Sequence, residues 1–272
     1  MTATLTETET ESKTLVDYEK DGGVAIIYLN DPPANTYTHE MMRQLDEAIL
    51  KARFDNQVQV IILRGKGEKF FSAGANIKML NSVDPVFKYY FCLHANETLS
   101  RLEQTPKLVI AALNGHTVGG GLEIAMAADI RIARAEAGKI GLPEVNLGVL
   151  PGTGGTQRLA RIVGKSKAIE MMVTGESFSF EKAQELGLVN MVLPKADWWE
   201  NVMLYARQFC TPNKASFAVG QIKRSVISGL EMSFESGLAL ERELQNLLFK
   251  SSDAKEGLAA YVEKRQPNFQ GK

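Results

Sequence analysis

NGHTVGGGLEIAMAADIRIA (residues 114–133) passes from three consecutive glycines through a run that is apolar except for Glu123, then returns to β-branched residues at DIRIA. Glycine removes the Cβ that restricts tight turns, and a helix that is apolar all round, as Ile124 to Ala128 are, is a buried one. LVIAAL (108–113) precedes the glycines and DIRIA (129–133) follows the helix, so the order is strand, glycine turn, buried helix, strand. Strands alternating with helical segments in this way build an α/β core with parallel pairing.

The alternation extends outward from this stretch. VAIIYL (24–29) is a β-branched run closed by the turn-rich NDPPAN, and HEMMRQLDEAILKARF (39–54) repeats Met42, Leu45, Ile49 and Ala52 at helical spacing. VQVIIL (58–63) is expected to form another buried strand, with RGKGEKFFSAGA as a glycine-containing loop after it. Beyond roughly residue 155 the pattern becomes helical, with LVNMVL (188–193) as the one strand and Asp197 and Ser233 expected as N-caps. Long amphipathic helices of that kind need a surface to cover, either the core or another subunit.

The 272 residues, 44% of them hydrophobic, suffice for a large buried core. Lysine plus arginine (31) and aspartate plus glutamate (32) nearly cancel, so no global field recruits nucleic acid or an acidic membrane. Cys92 and Cys210 cannot supply a disulfide framework, and three histidines form no cluster at metal-ligand spacing. A reducing, metal-free, cytoplasmic setting is expected. MTATLTETETESKT (1–14) lacks the apolar stretch of a secretory signal and is expected to be a disordered tail, and charges or prolines interrupt every candidate membrane span. HEMMR (39–43) lacks the second histidine of a zinc-protease motif, and GVLPGTGGTQR (148–158) satisfies neither a P-loop nor a dinucleotide fingerprint.

Gly119 to Gly121 admit two readings. Backbone amides at a helix start can meet an anion or a developing oxyanion, or the glycines can simply allow a turn and close packing. Glu123, in the first turn of the buried helix, either complements the helix dipole or is a desolvated acid suited to proton transfer. Glu144, in GLPEVNLGVLPGTGGTQR (141–158), has the same apolar and glycine-rich frame. Two such acids meeting on one substrate would titrate as a coupled pair, which spacing alone leaves open.

In combination, FFSAGANIKML (70–80), NGHTVGGGLEIAMAADIRIA, GLPEVNLGVLPGTGGTQRL (141–159), TGESFSFEKAQELGLVN (174–190) and EGLAAYVEKRQPNF (256–269) resemble the enoyl-CoA hydratase group of the crotonase superfamily. The resemblance implies a spiral of ββα units over 15–205 and a helical region over 206–272 that builds trimers, often paired into hexamers. It implies an acyl-CoA thioester as substrate, with coenzyme A as part of it and no separate cofactor. It places oxyanion amides at Ala75 and Gly120, catalytic glutamates at Glu123 and Glu144, and CoA contacts at Ala73, Lys78, Tyr261 and Lys264. Retention of both glutamates favours hydration of a 2-enoyl-CoA over double-bond migration and weighs against a non-catalytic acyl-CoA-binding role. Near-neutral charge weighs against an RNA-binding one, and isomerisation or hydration of a cyclic dienoyl-CoA at the same oxyanion hole is the alternative that substrate profiling separates. Asn76 stands where the family usually has aspartate. VFKYYFCLHANETL (86–99) matches the region that shapes acyl specificity, so Phe87, Tyr89, Tyr90 and Phe91 either line a pocket or pack on the core.

Overall fold

The computed structural model describes residues 13–272. The expected tail at 1–14 lies almost wholly outside the described residues. At its end Lys13 is already tied down, its Nζ 2.6 Å from an Asp31 carboxylate oxygen.

In chain order the strands are β1 (Val16–Asp21), β2 (Val24–Leu29), β3 (Val60–Gly65), β4 (Phe70–Ser72) and β5 (Leu108–Leu113). They continue as β6 (His116–Val118), β7 (Ile130–Arg134), β8 (Lys139–Gly141), β9 (Ser177–Ser179) and β10 (Met191–Leu193). One sheet runs β1-β2-β3-β5-β7-β10 and a second runs β4-β6-β8-β9. Pairing from β2 to β10 in the first sheet is parallel as expected, while β1 joins β2 as an antiparallel edge hairpin and β9 closes the second sheet antiparallel to β8.

The large sheet is apolar on both faces because both are covered. Ile26, Ile62 and Ile110 sit in register across it and pack with Trp198, Val202 and Ala206 of the helix Trp198–Arg207. Their neighbours Ile27, Leu63 and Ala111, one residue on and therefore on the opposite face, join the main core with Met42, Leu45 and Ile49 of the helix His39–Phe54.

Each inner turn of the chain follows one course: a long strand in the large sheet, a short strand in the second sheet, then helix. β3 passes to β4, β5 to β6 and β7 to β8, which makes the expected ββα spiral. The bend between sheets is tight enough that a Cβ on Gly115 would lie 2.2 Å from the Lys69 carbonyl oxygen. Buried Asn35 and Asn114 pin the turns by donating to the carbonyls of Lys66, Gly67, Phe70 and Phe71. Because β4 and β6 lie parallel, with Ser72 beside Thr117, the loops that leave them emerge side by side. One loop is Ala73 to Ala75 and the other is Gly119 to Gly121.

The C-terminal third is helical as expected, ending in Ser216–Gly229, Phe234–Phe249 and Ser252–Glu263. Ser233 caps its helix by accepting from the Ser236 amide. Asp197 corrects the expectation: it precedes the helix Trp198–Arg207 but sits in the left-handed region (φ 54°), and its side chain makes no capping bond. The expected boundary at 205/206 falls inside that helix.

Candidate active site

The two loops open onto a cavity of about 400 Å³ whose lining includes Ala73, Ala75, Gly120, Glu123 and Glu144. Five of the eight expected site residues therefore converge, although they come from three turns of the spiral.

The three glycines have separate reasons. A Cβ on Gly121 would lie 2.2 Å from the Ser72 carbonyl oxygen, and one on Gly120 would lie 2.2 Å from the Tyr37 hydroxyl. Gly119 has φ 58° and ψ −136°, a conformation closed to side-chain-bearing residues, and the Glu144 carboxyl lies over it. The close-packing reading of the glycines holds, and that packing sets Gly119 and Gly120 in the cavity wall.

The Gly120 amide heads the helix Gly120–Met126 and has no intrahelical acceptor. Ala75 forms a parallel bridge with Tyr37 in which the Tyr37 amide donates to the Gly74 carbonyl and the Asn76 amide to the Tyr37 carbonyl. This bridge leaves the Ala75 N–H facing away from Tyr37, and among the described residues neither it nor the Gly120 N–H has an acceptor. Gly74, at φ 86°, brings its loop so close that a Cβ there would lie 2.7 Å from the Gly120 nitrogen. Asn76 performs the task an aspartate could: its Oδ1 accepts from the Met79 amide at 3.0 Å and caps the helix Ile77–Ser82.

The two carboxyls are held differently. Glu123 is 2% exposed, and one of its oxygens accepts from the amides of Thr153 and Gly155, each at 2.7 Å. Burial raises its pKa, while these amides, the Thr153 hydroxyl and the Arg158 charge act to lower it. Glu144 opens the 3-10 turn Glu144–Leu147, and its Oε2 is buried with no hydrogen-bond partner among the described residues. Burial, with a smaller contribution from the Glu123 charge, pushes its pKa up to about 7.

Not every expected residue reaches the cavity. Lys78 is exposed on the first turn of the helix Ile77–Ser82. Tyr261 is 86% exposed and Lys264 is the left-handed cap of the last helix; in the single chain neither joins the cavity wall. Of the four aromatics on the helix Pro85–Glu103, only Phe91 lines the cavity. Phe87 meets His39 edge-on, and Tyr89 and Tyr90 pack edge-to-face on each other at the surface. His116 is structural, its Nδ1 accepting from the Lys139 amide.

Tyr37 and Thr153 line the cavity and were not singled out from sequence. Tyr37 falls between the turn-rich NDPPAN (30–35) and the helix that starts at His39, and Thr153 falls among glycines; an aromatic between two threonines is the available signal.

A ββα spiral with paired glycine-backed loops opening onto a buried acid places the chain in the crotonase fold class. The family model described as Enoyl-CoA hydratase/isomerase matches residues 19–272. The chain belongs to that family. It is 39% identical over 253 residues to a protein of Bacillus subtilis (strain 168) described as "Probable enoyl-CoA hydratase", covering 92% of this chain and 96% of that one. It is 36% identical over 249 residues to the short-chain-enoyl-CoA hydratase of Clostridium acetobutylicum, covering 91% and 94%. A crystal structure of an enoyl-CoA hydratase from Geobacillus kaustophilus HTA426 superposes with TM-score 0.93 at 50% identity, covering 96% of this chain and 98% of that one.

Proposed function

We propose that this chain is an enoyl-CoA hydratase, adding water reversibly across the α,β double bond of a 2-enoyl-CoA to give a 3-hydroxyacyl-CoA. The observation that carries the reading is the convergence of two acids in contrasting environments on one cavity that also receives the loops of Ala75 and Gly120. An enoyl thioester is electrophilic at Cβ only when its carbonyl is polarised. The free N–H groups of Ala75 and Gly120 grip that oxygen and stabilise the enolate charge as water adds.

The environments of the acids set their roles. Glu123, fixed by two amides, stays a carboxylate and accepts a proton from water as its oxygen bonds to Cβ. Glu144, unpartnered at Oε2 and with its pKa near 7, holds the proton that passes to Cα. In reverse the same groups dehydrate the 3-hydroxyacyl thioester.

Ala73 in the cavity wall and Lys78 on the neighbouring exposed turn are assigned to the adenine and phosphate end of CoA. Tyr261 and Lys264 stay outside this part of the reading, because they do not reach the cavity in the single chain. A homo-oligomer is proposed from the terminal helices, which expose Ile222, Val226, Leu230, Phe234, Leu258 and Val262. Among the described residues no helix is long and apolar enough to cross a membrane; a cytoplasmic location belongs to the same proposal.

Loss of the enoyl-thioester absorbance of crotonyl-CoA, with 3-hydroxybutyryl-CoA as product, tests the reaction. Glu123→Gln and Glu144→Gln are expected to bind acyl-CoA and to lose turnover. Unchanged turnover in Glu144→Gln would overturn the two-acid assignment.

A further inference from the structure

Tyr37 is a buried phenol on the wall of the catalytic cavity, and the mechanism above gives it no task. Three sets of contacts converge on it. Its backbone bridges to Ala75, holding the loop with the first proposed oxyanion donor. Its ring lies against Gly120, so close that a Cβ there would overlap the hydroxyl. Its hydroxyl lies 3.0 Å from Thr153 Oγ1, and Thr153 in turn holds Glu123 through its amide at 2.7 Å.

The 3.0 Å contact between the two hydroxyls ties down the Thr153 side chain, and the Thr153 amide donates to Glu123 Oε1 at 2.7 Å. The linkage therefore runs from the Tyr37 hydroxyl through the placement of Thr153 and its amide to Glu123.

We propose that Tyr37 is the positioning residue of this site: its hydroxyl acts through Thr153 to hold Glu123 as an oriented carboxylate, while its backbone and ring set the separation of the Ala75 and Gly120 amides. The proposal rests on the hydratase reading for the identity of the reaction, but the Tyr37 to Glu123 linkage stands on geometry alone. Four titratable groups face Glu123: Glu144 from the 3-10 turn, Arg158 from the helix Gly155–Val163, Cys92 from the helix Pro85–Glu103, and Tyr37 itself. Arg158 is paired with Glu103 at 2.9 Å. Tyr37→Phe and Thr153→Val leave the first three in place, so a change in Glu123 behaviour reports the contact between the Tyr37 and Thr153 hydroxyls.

The test compares Tyr37→Phe, Thr153→Val and Thr153→Ser with wild type in two measurements on the full chain. The first is the pH profile of kcat/KM with crotonyl-CoA. The second is an isotope-edited infrared titration of 13C-labelled glutamate carboxylates, with Glu123→Gln identifying the Glu123 band. Loss of this contact is expected to lower kcat roughly 3- to 10-fold, the worth of one hydrogen bond, with KM nearly constant. It is also expected to move the acid limb and the Glu123 infrared midpoint to higher pH in both Tyr37→Phe and Thr153→Val, with Thr153→Ser restoring both. A pH-independent loss, or an unmoved Glu123 midpoint, would reduce Tyr37 to packing and overturn the proposal. If wild type fails to hydrate crotonyl-CoA, the hydratase reading suffers while the infrared midpoint still decides the linkage.

Discussion

Replacing Glu144 by glutamine should stabilise the protein in neutral and alkaline solution while abolishing the reaction. Burial raises the Glu144 pKa from 4.5 to about 7, so the folded chain binds its proton more tightly than the unfolded chain does. Stability falls with rising pH wherever the folded state holds the extra proton. The cost of keeping Glu144 in place is therefore small at low pH, grows between 4.5 and about 7, and is constant above. A rise of about 2.5 pH units at ~1.4 kcal/mol each gives an upper bound of about 3.5 kcal/mol. The carboxyl is only half-buried, and solvent screening reduces this to about 1–2 kcal/mol. Glutamine keeps the shape without a charge to desolvate. Thermal melts of the two proteins across about pH 5 to 8 should show a gain for Glu144→Gln that grows to roughly 2–8 °C above neutrality. A gain of equal size at every pH, or a loss above neutrality, would refute the assignment of Glu144 as a desolvated acid.

Two further outcomes are expected. Gly120→Ala forces a Cβ against the Tyr37 hydroxyl, at 2.2 Å before relaxation, and so displaces the donor amide. Steady-state kinetics should show kcat/KM reduced by about 100-fold or more, the scale of one lost oxyanion donor. Lys223→Met removes the ion-pair partner of Asp129, 2.9 Å away on a buried pair, leaving the Val109 amide as that carboxylate's hydrogen-bond donor among the described residues. Urea unfolding should show a loss of about 3–5 kcal/mol, much of it recovered when Asp129→Asn is added.

Strands with strong apolar runs and the long amphipathic helix were legible in the sequence. β2, β5 and the helix His39–Phe54 occupy the residues expected of them. β3 begins two residues later than expected, because Val58 is still turned back onto the Asp55 carbonyl and the ladder starts at Val60. β1 escaped notice because VDYEKD is an edge strand with its charges in solvent. The short strands of the second sheet, three residues each, carry no measurable periodicity. That sheet is what sets the two loops side by side, so sequence could name the acids and the glycines but not show that they meet. The aromatic run, read as either pocket lining or core packing, divides for a geometric reason. Phe91 and Ala95, four residues apart, face inward, and Tyr89 and Tyr90 project from the opposite side of the same helix.

The paired loops also bear on how such a site tolerates change. Both proposed thioester-gripping groups are peptide N–H bonds, which every residue except proline possesses, and their aim is set by strand pairing and by glycine clearances behind them. In the proposed reaction the electrophile is thus activated by the course of the main chain, while proton traffic is delegated to replaceable side chains. Mutational drift can exchange the acids, and with them the reaction, without dismantling the grip on the carbonyl. It cannot easily alter the glycines, whose missing atoms are what the architecture uses.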